Sequence, residues 1–404
     1  MASTSKDNGG DQCKVVTKKR KACTDLEMQR KKRKTASNPI KGSAEAVLTQ
    51  GTKRKSSFQR ESPSKKQRVG STDTNTNTAE PSKVSEEETS VDLRLAVDTP
   101  RTSESSKSSS TSNNLSTPKN WIISNSETAS REFEAKYLQL NRLGEGGFGS
   151  VYAGIRKADY LPVAIKHIPQ AKVKVQLADI NGETHILPTE VLLMKTAAGG
   201  PESVGKYAAT TLLDWYDLDH GLVLVMERPV PSVDLWTHLD ETNGYMAEAQ
   251  AKNIMKQLVD AAIQMHSQKV FHRDIKANNI LLETGSDVPR VRIIDFGCGC
   301  VEKSEPYNSY SGTLDYAPPE YYKEREYKAR PTTVWQLGTL LYELLHETSD
   351  FSTQRFLRNQ RAFVSGLNEL KVSQDCLDLL KMCLTADPDN RATLEEMQEH
   401  PWFT

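Results

Sequence analysis

Residues 271–297 read F-H-R-D-I-K-A-N-N-I-L-L-E-T-G-S-D-V-P-R-V-R-I-I-D-F-G, and this stretch decides the fold. Asp274 and Asn279 lie in a loop ahead of one short apolar run, and a second apolar run ends on Asp295. Short apolar runs bounded by polar residues are typical of strands. An acidic residue at the end of a strand, facing a loop that holds another, can bracket a metal–phosphate complex. The stretch therefore predicts a site that handles phosphate.

A glycine-rich turn, G-E-G-G-F-G, lies upstream at residues 144–149. Residues 137–143 before it alternate apolar and polar, and residues 150–155 after it are rich in β-branched and aromatic residues, so both flanks predict strands. Glycines allow a backbone to approach phosphates closely, although a plain hairpin turn is the competing interpretation. A dinucleotide-binding turn would need a helix next, so the second strand excludes it.

Lys166 ends the next predicted strand, V-A-I-K at residues 163–166. A lysine that holds phosphates needs a carboxylate to orient it. The helical pattern of residues 189–198 offers Glu190 near its start, and Glu183, in a predicted glycine-containing loop, is the weaker alternative.

Taken in order, these segments resemble the signature of protein kinases over residues 137–403. The resemblance implies an α+β, bilobal protein kinase fold, with a small β-rich N-lobe at about 137–228 and a large, mainly helical C-lobe at about 232–403. In having Lys276 and Thr313 at these positions, the chain resembles the serine/threonine kinases. The implied enzyme is a serine/threonine protein kinase that uses ATP and Mg²⁺ on protein substrates; a pseudokinase or scaffold is the alternative.

The finer resemblance is to the Pim group, carried by G-G-F-G-S-V-Y, L-P-V-A-I-K-H and, at residues 227–231, E-R-P-V-P. The last of these would join the two lobes beside the adenine of ATP. Pro229 has no backbone N–H, so the resemblance implies one main-chain hydrogen bond fewer to the adenine, with the Glu227 carbonyl as an acceptor.

The resemblance also implies the site residues. Asp274 would act as the base, Lys276 would neutralise the migrating phosphoryl group, Lys166 paired with Glu190 would hold phosphates, and Asn279 and Asp295 would bind Mg²⁺. The implied nucleotide site comprises Leu143, Gly144, Glu145, Gly146, Gly147, Phe148, Gly149, Ser150, Val151, Ala164, Lys166, Met226, Glu227 and Leu281.

Two departures from the Pim group concern regulation and specificity. Ser309 and Ser311 stand where the group has acids that meet the catalytic-loop arginine, here Arg273, so we expect phosphorylation of either serine to supply the missing charge. Ala277 and Asn278 stand where the group has acids on the substrate side. A preference for basic substrates therefore rests on Asp234 and on the net acidity of the folded part.

Charge divides the chain unevenly. The sequence holds equal numbers of basic and acidic residues, 53 each, but residues 1–120 hold 24 Lys and Arg against 14 Asp and Glu. The remaining residues hold 29 against 39, so a net charge of +10 is balanced by one of −10. Few aromatic residues and long Ser/Thr runs predict a disordered basic tail over residues 1–130, ahead of a kinase domain at 131–404.

Two basic clusters, residues 18–21 and 30–34, resemble a bipartite nuclear localisation signal, which would bind an import receptor. Nucleic-acid binding and a functionless solvated tail are the competing interpretations, and we do not expect nucleic acid as a partner. Scattered cysteines predict an intracellular protein with reduced thiols, located in the nucleus, the cytoplasm or both. A metal site at Cys298 and Cys300 is not expected, since no further ligands cluster near them. No apolar run is long enough to cross a membrane, and a monomer is expected.

Overall fold

The computed structural model describes residues 126–180, 182–242, 244–347 and 351–404, together with the backbone of two short strands, β1 (Leu93–Arg94) and β2 (Lys119–Asn120). The two basic clusters and the predicted import signal lie outside the described residues. All the described residues belong to one compact unit, Ser85–Thr404.

The N-lobe is built on an antiparallel sheet of five strands in the order β3-β4-β5-β9-β8. A helix, α1, runs directly into its first strand and places Ala129 and Phe133 against the outer face of the sheet, beside Tyr137 and Val163. This helix contains residue 131, the predicted start of the domain. The elements are α1 (Ser126–Lys136), β3 (Tyr137–Gly146), β4 (Gly149–Arg156), β5 (Pro162–Pro169), β8 (Leu212–Leu218) and β9 (Gly221–Glu227).

A hairpin, β6 (Val175–Ile180) and β7 (Glu183–Pro188), leads into helix α2 (Thr189–Ala198). The backbones of β1 and β2 pair with the two edges of this hairpin. Helix α2 packs most of its side chains into the core and ends at Gly199, whose φ of +74° favours glycine. Its bounds are those that the sequence predicts.

The C-lobe is mainly helical. Its core surrounds helices α4 and α6, and Trp335 and Trp402 are almost fully buried. The helices are α3 (Leu235–Glu241), α4 (Glu248–Ser267), α5 (Pro319–Glu324), α6 (Ala329–Leu345), α7 (Thr353–Arg358), α8 (Gln360–Leu367), α9 (Gln374–Cys383) and α10 (Leu394–Gln398).

Short strands line the face of the C-lobe that meets the N-lobe. A sheet β10-β12-β13 is formed by Ser232–Asp234, Ile280–Glu283 and Arg290–Ile293, and β11 (Val270–Phe271) pairs with β14 (Cys300–Val301). The catalytic-loop residues lie between β11 and β12, and Asp295 follows β13. A small β-rich lobe and a large helical lobe confirm the predicted α+β bilobal fold.

A buried ion pair joins Glu320 on α5 to Arg391, which lies between α9 and α10. The guanidinium donates two parallel hydrogen bonds to the carboxylate, at 3.0 and 2.7 Å, and both residues are buried. This paired geometry is the strong form of such a contact. Within the described ranges, no helix is both long and apolar enough to span a membrane.

Candidate active site

The glycine-rich turn between β3 and β4 leaves space beside three of its glycines, while the ring of Phe148 at its tip lies over Lys166, with 5.9 Å from Nζ to the ring centroid. Apart from the glycine itself and its chain neighbours, no atom of the described residues lies within 4 Å of a Cβ placed on Gly144, Gly146 or Gly147. Gly149 differs, because its φ is +148° and an added Cβ would lie 1.9 Å from the His167 carbonyl oxygen. The turn itself therefore needs Gly149, while the other glycines leave room for a ligand to approach the backbone.

Lys166 lies on β5, where side chains alternate between the two faces of the sheet. Val163 and Ile165 fill the outer core, and Lys166 faces the cleft although it is only 4 % exposed. Its ammonium donates to Glu190 at 2.5 Å and to Asp295 at 2.7 Å. The ammonium thus joins helix α2 to the acidic residue that follows β13.

Glu183, the alternative partner, is the first residue of β7 and not part of a loop. Its carboxylate is exposed and lies 3.7 Å from His185 Nε2. The structure therefore places Glu190, and not Glu183, beside Lys166.

Charge pairing decides the protonation of Lys166 and Asp295, whereas burial prevails at Glu190 and raises the pKa of its carboxyl above the usual value. Burial opposes the charge on Lys166, but the carboxylates of Glu190 and Asp295 outweigh it and raise the pKa of Lys166 above its usual value. Burial would raise the pKa of Asp295, but the Lys166 ammonium outweighs it and keeps that pKa below its usual value. Both groups are charged at neutral pH, which a site for phosphates and a cation requires.

Asp274 is the centre of a second cluster, on the C-lobe side of the cleft. One carboxylate oxygen accepts from the Thr313 backbone N–H at 2.8 Å, and the other lies 2.9 Å from Lys276 Nζ and 3.0 Å from Asn279 Nδ2. Lys276 also donates to the Thr313 hydroxyl at 2.6 Å. Fixed donors on both oxygens orient the carboxylate without any ligand present.

His272 supports this cluster and stays neutral. Burial lowers the pKa of its imidazole despite the nearby Asp274 and Asp295. Its Nε2 donates to the Ile294 carbonyl at 3.2 Å, and its Nδ1 accepts from the Asp274 N–H at 3.3 Å. The ring also packs edge-on against Phe296, with 4.9 Å between ring centroids. His272 therefore has a structural role.

Asn279 and Asp295 have oxygen atoms suited to bind a divalent cation that also binds phosphate oxygens. Both hydrogen bonds of the Asn279 amide are made by its nitrogen, to the backbone and side chain of Asp274, which leaves its oxygen for a cation. Asp295 uses Oδ1 for Lys166 and the Gly297 N–H, and its side chain is one-third exposed. One carboxylate and one amide oxygen suit Mg²⁺, which commonly takes few protein ligands plus phosphate oxygens. Within the described residues, no group of three or more His, Cys, Asp or Glu forms a metal site.

Three apolar residues of the predicted nucleotide site lie outside the fully buried core. Val151, Ala164 and Leu281 are partly exposed, whereas Val163 and Ile165 beside Ala164 are fully buried. Ala164 pairs with Met226, the residue before the connection between the lobes. Their partly exposed apolar surfaces belong to the nucleotide site that the sequence predicts.

The connection between the lobes offers few N–H donors to a ligand. The Glu227 N–H donates to the Thr211 carbonyl at 3.0 Å, and the Arg228 N–H donates to the Pro162 carbonyl at 3.2 Å. Pro229 has no N–H at all. A carbonyl acceptor is thus the main polar contact that residues 227–229 can offer an adenine.

The Glu227 carboxylate belongs to a buried network that the sequence analysis missed. It accepts from the Gly205 and Thr211 N–H groups at 2.8 and 2.7 Å, and it pairs closely with Arg292 on β13. Arg292 is 2 % exposed and also donates to Glu283 at 2.7 Å. An arginine inside the apolar run of residues 291–294 was the available signal, since arginine is almost never buried unless paired.

Arg273 binds backbone carbonyls. Its guanidinium donates to the carbonyls of Cys298 and Gly299 at 2.6 and 3.0 Å. In the part of the chain that the structure describes, no carboxylate lies within ion-pair distance of it. Ser309 is exposed, and its carbonyl accepts from the Tyr327 hydroxyl at 3.0 Å.

Comparison with known proteins places the chain. The protein kinase domain family matches residues 137–403. The chain is 35 % identical over 283 residues to the serine/threonine-protein kinase pim-2 of Danio rerio, with 70 % of this chain and 89 % of that protein covered. It is 33 % identical to prk-2 of Caenorhabditis elegans, covering 67 % of this chain and 59 % of prk-2. It is 31 % identical to PSK2 of Saccharomyces cerevisiae, covering 65 % of this chain and 23 % of PSK2.

A protein kinase domain uses ATP, generally with a divalent metal, and acts on protein substrates. The two clusters of charged residues, the open glycine turn and these similarities agree with one another: the chain belongs to the protein kinase family, as a Pim-like serine/threonine kinase.

Proposed function

We propose that the protein transfers the γ-phosphoryl group of Mg-ATP to serine or threonine hydroxyls of protein substrates. The Asp274 cluster supports this proposal most strongly. A carboxylate held on both oxygens faces the cleft, and a lysine lies beside it with its ammonium shared between that carboxylate and Thr313. This arrangement suits removal of a proton from an incoming hydroxyl and compensation of negative charge next to it.

In the proposed reaction, Asp274 accepts the hydrogen bond of the substrate hydroxyl and finally its proton. The hydroxyl oxygen forms a bond to the γ-phosphorus while the bond from that phosphorus to the β–γ bridging oxygen breaks. Lys276 offsets the negative charge on the migrating group, and Lys166 holds the phosphates that remain. When bound, Mg²⁺ neutralises charge on the phosphates. Asn279 and Asp295 are the residues that would hold it.

Transfer of label from γ-labelled ATP to a protein substrate, followed by phosphoamino-acid analysis, tests this proposal. We expect phosphoserine and phosphothreonine, with no label transferred when a chelator removes divalent cations. Phosphotyrosine as the main product would contradict the assignment of Lys276 and Thr313.

We expect the double variant Ser309→Ala, Ser311→Ala to have a kcat about tenfold lower than wild type. It cannot carry the phosphate that would give Arg273 a charge-assisted partner. Arg273 already lies on this segment through the carbonyls of Cys298 and Gly299. Mass spectrometry of the wild-type protein would show phosphate on Ser309 or Ser311. Ser304→Ala, at an exposed serine of the same segment, is the matched control. A double variant as fast as wild type would exclude this switch.

The preference for basic substrates rests on the general field of an acidic folded part. Asp234, the retained acid, caps α3 by accepting from the Thr237 N–H and hydroxyl at 2.9 and 2.6 Å. Ala277 is buried and Asn278 is uncharged. A screened surface field gives a modest and salt-dependent preference, whereas a dedicated carboxylate pair would give a strong one.

The tail itself offers a basic test peptide, K-R-K-S-S at residues 53–57. We expect a peptide that copies it to be phosphorylated with a kcat/KM several-fold above that of a peptide with alanines at 53–55, and the advantage to fade as salt rises. Phosphate on Ser56 or Ser57 of the full chain would show autophosphorylation there. Equal kcat/KM for the two peptides at low salt would refute the basic preference.

A further inference from the structure

Gln336 is an uncharged polar side chain in the middle of the C-lobe core. It lies on α6 between Trp335 and Leu337, and all three are fully buried. A buried amide is costly unless its donors and acceptor find partners. The partners of the Gln336 side-chain amide lie outside its own helix.

The amide holds the backbone on both sides of the catalytic aspartate. Gln336 Oε1 accepts from the Ile275 N–H at 3.3 Å, and Nε2 donates to the Arg273 carbonyl at 2.8 Å. Asp274 lies between these two residues. Arg273 has a φ of +67°, which is uncommon for a residue with a side chain, so its backbone needs external support.

The same amide contacts the segment that faces Asp274. Gln336 Nε2 also donates to the Tyr310 hydroxyl at 3.2 Å, and that hydroxyl donates to the Thr313 carbonyl at 3.4 Å. The Thr313 N–H in turn donates to Asp274. A Cβ on Gly312 would lie 2.5 Å from the Arg273 carbonyl oxygen, so the segment packs directly on the carbonyl that Gln336 binds.

The contacts close a ring from Gln336 through the catalytic loop to Asp274, on to Thr313 and Tyr310, and back to Gln336. Thr333, one turn earlier on α6, takes no part in it. Its hydroxyl lies 2.8 Å from His266 Nε2 and donates to the Ala329 carbonyl at 3.2 Å.

We infer that Gln336 is a positioning residue that sets the Asp274 backbone and the turn at Gly312-Thr313 together, with Tyr310 as its link to that turn. This inference rests on the proposed phosphoryl transfer by Asp274. As a consequence, a conformational change in the segment around Tyr310 alters the position of Asp274 through the uncharged side chain of Gln336 on α6.

Two substitutions of Gln336 separate its contacts. Gln336→Met keeps the length of the side chain and removes the donor and the acceptor. Gln336→Glu keeps an acceptor for the Ile275 N–H, but it sets a carboxylate against the Arg273 carbonyl, where two acceptors repel. Tyr310→Phe removes only the hydroxyl that joins Gln336 to Thr313. Thr339→Val is the matched control, since Thr339 is equally buried on α6 and donates only to the carbonyl of Gln336.

We expect kcat to fall about 100-fold in Gln336→Met and Gln336→Glu, because a small misplacement of a reacting group has effects of that size. Tyr310→Phe should lower kcat by about tenfold. The KM for ATP should stay at the wild-type value in all three, since the ring does not contact the nucleotide side of the cleft. Thr339→Val should keep the wild-type kcat, since its hydroxyl bonds only within α6 among the described residues.

Non-additivity tests the ring itself. If the contacts act as one unit, Gln336→Met with Tyr310→Phe should be no slower than Gln336→Met alone. A wild-type kcat in folded Gln336→Met, or rate losses that multiply in the double variant, would overturn the inference. If the Gln336 variants do not fold, Tyr310→Phe decides, and an unchanged kcat there would overturn it. Asp274→Asn run alongside reports on the proposed function, so the two failures are distinguishable.

Discussion

Asp274→Asn is expected to lower kcat by about 10²–10⁴-fold, the usual contribution of a positioned general base. An asparagine has nearly the same size and can keep part of the hydrogen bonding to Lys276 and Thr313. It cannot take a proton from a substrate hydroxyl. The KM for ATP should change little, because Asp274 lies on the substrate side of the cleft.

Steady-state kinetics on one peptide at saturating ATP would measure this effect. Asp287→Asn is the control, since Asp287 is an exposed carboxylate in the loop between β12 and β13. Circular dichroism would show that both variants are folded. An Asp274→Asn enzyme within about tenfold of wild type would assign the base to another group.

Arg292→Met is expected to lower the free energy of unfolding by about 3–5 kcal/mol, because it leaves the buried Glu227 carboxylate without its ionic partner. Burial lowers the pKa of Arg292 to about 10, so the arginine is charged at neutral pH and the pair is ionic. Since Glu227 also belongs to the connection between the lobes, we expect the KM for ATP to rise as well.

Urea unfolding and ATP kinetics on the same samples would test the pair. Arg290→Met, on the same strand but only partly buried, is the matched control. Adding Glu227→Gln to Arg292→Met should restore part of the lost stability, because the uncompensated charge is then removed. A double variant less stable than Arg292→Met alone would show that the pair is not what stabilises this region.

The local patterns predicted much of the site. Alternation before the glycine turn predicted β3, β-branched and aromatic residues after it predicted β4, and the apolar spacing of residues 189–198 predicted the bounds of α2. The resemblance also predicted members of both charged clusters: Lys166, Glu190 and Asp295 meet in one, and Asp274 is the centre of the other. Strands and helices of this kind are encoded by short-range periodicity, which is why they can be predicted from the sequence alone.

The contacts that were missed are nonlocal. The sequence predicts a loop around Glu183, because β7 is stabilised by pairing with β6 and local patterns do not show that pairing. Arg292 and Gln336 lie in apolar runs where a single polar residue gives no indication of its partner. Those partners come from elements far away in the chain, Glu227 from β9 and the catalytic loop from between β11 and β12. Tertiary packing decides such contacts, and periodicity does not report it.

The most direct test of the account compares nucleotide binding with phosphoryl transfer in one preparation. Calorimetric titration of wild type and Asp274→Asn with Mg-ATP would be run beside transfer of labelled γ-phosphoryl to a serine peptide. We predict that both proteins bind Mg-ATP with similar affinity and that only wild type labels the peptide. If wild type binds Mg-ATP but labels the peptide no faster than Asp274→Asn does, the proposed phosphoryl transfer is contradicted and a pseudokinase is favoured.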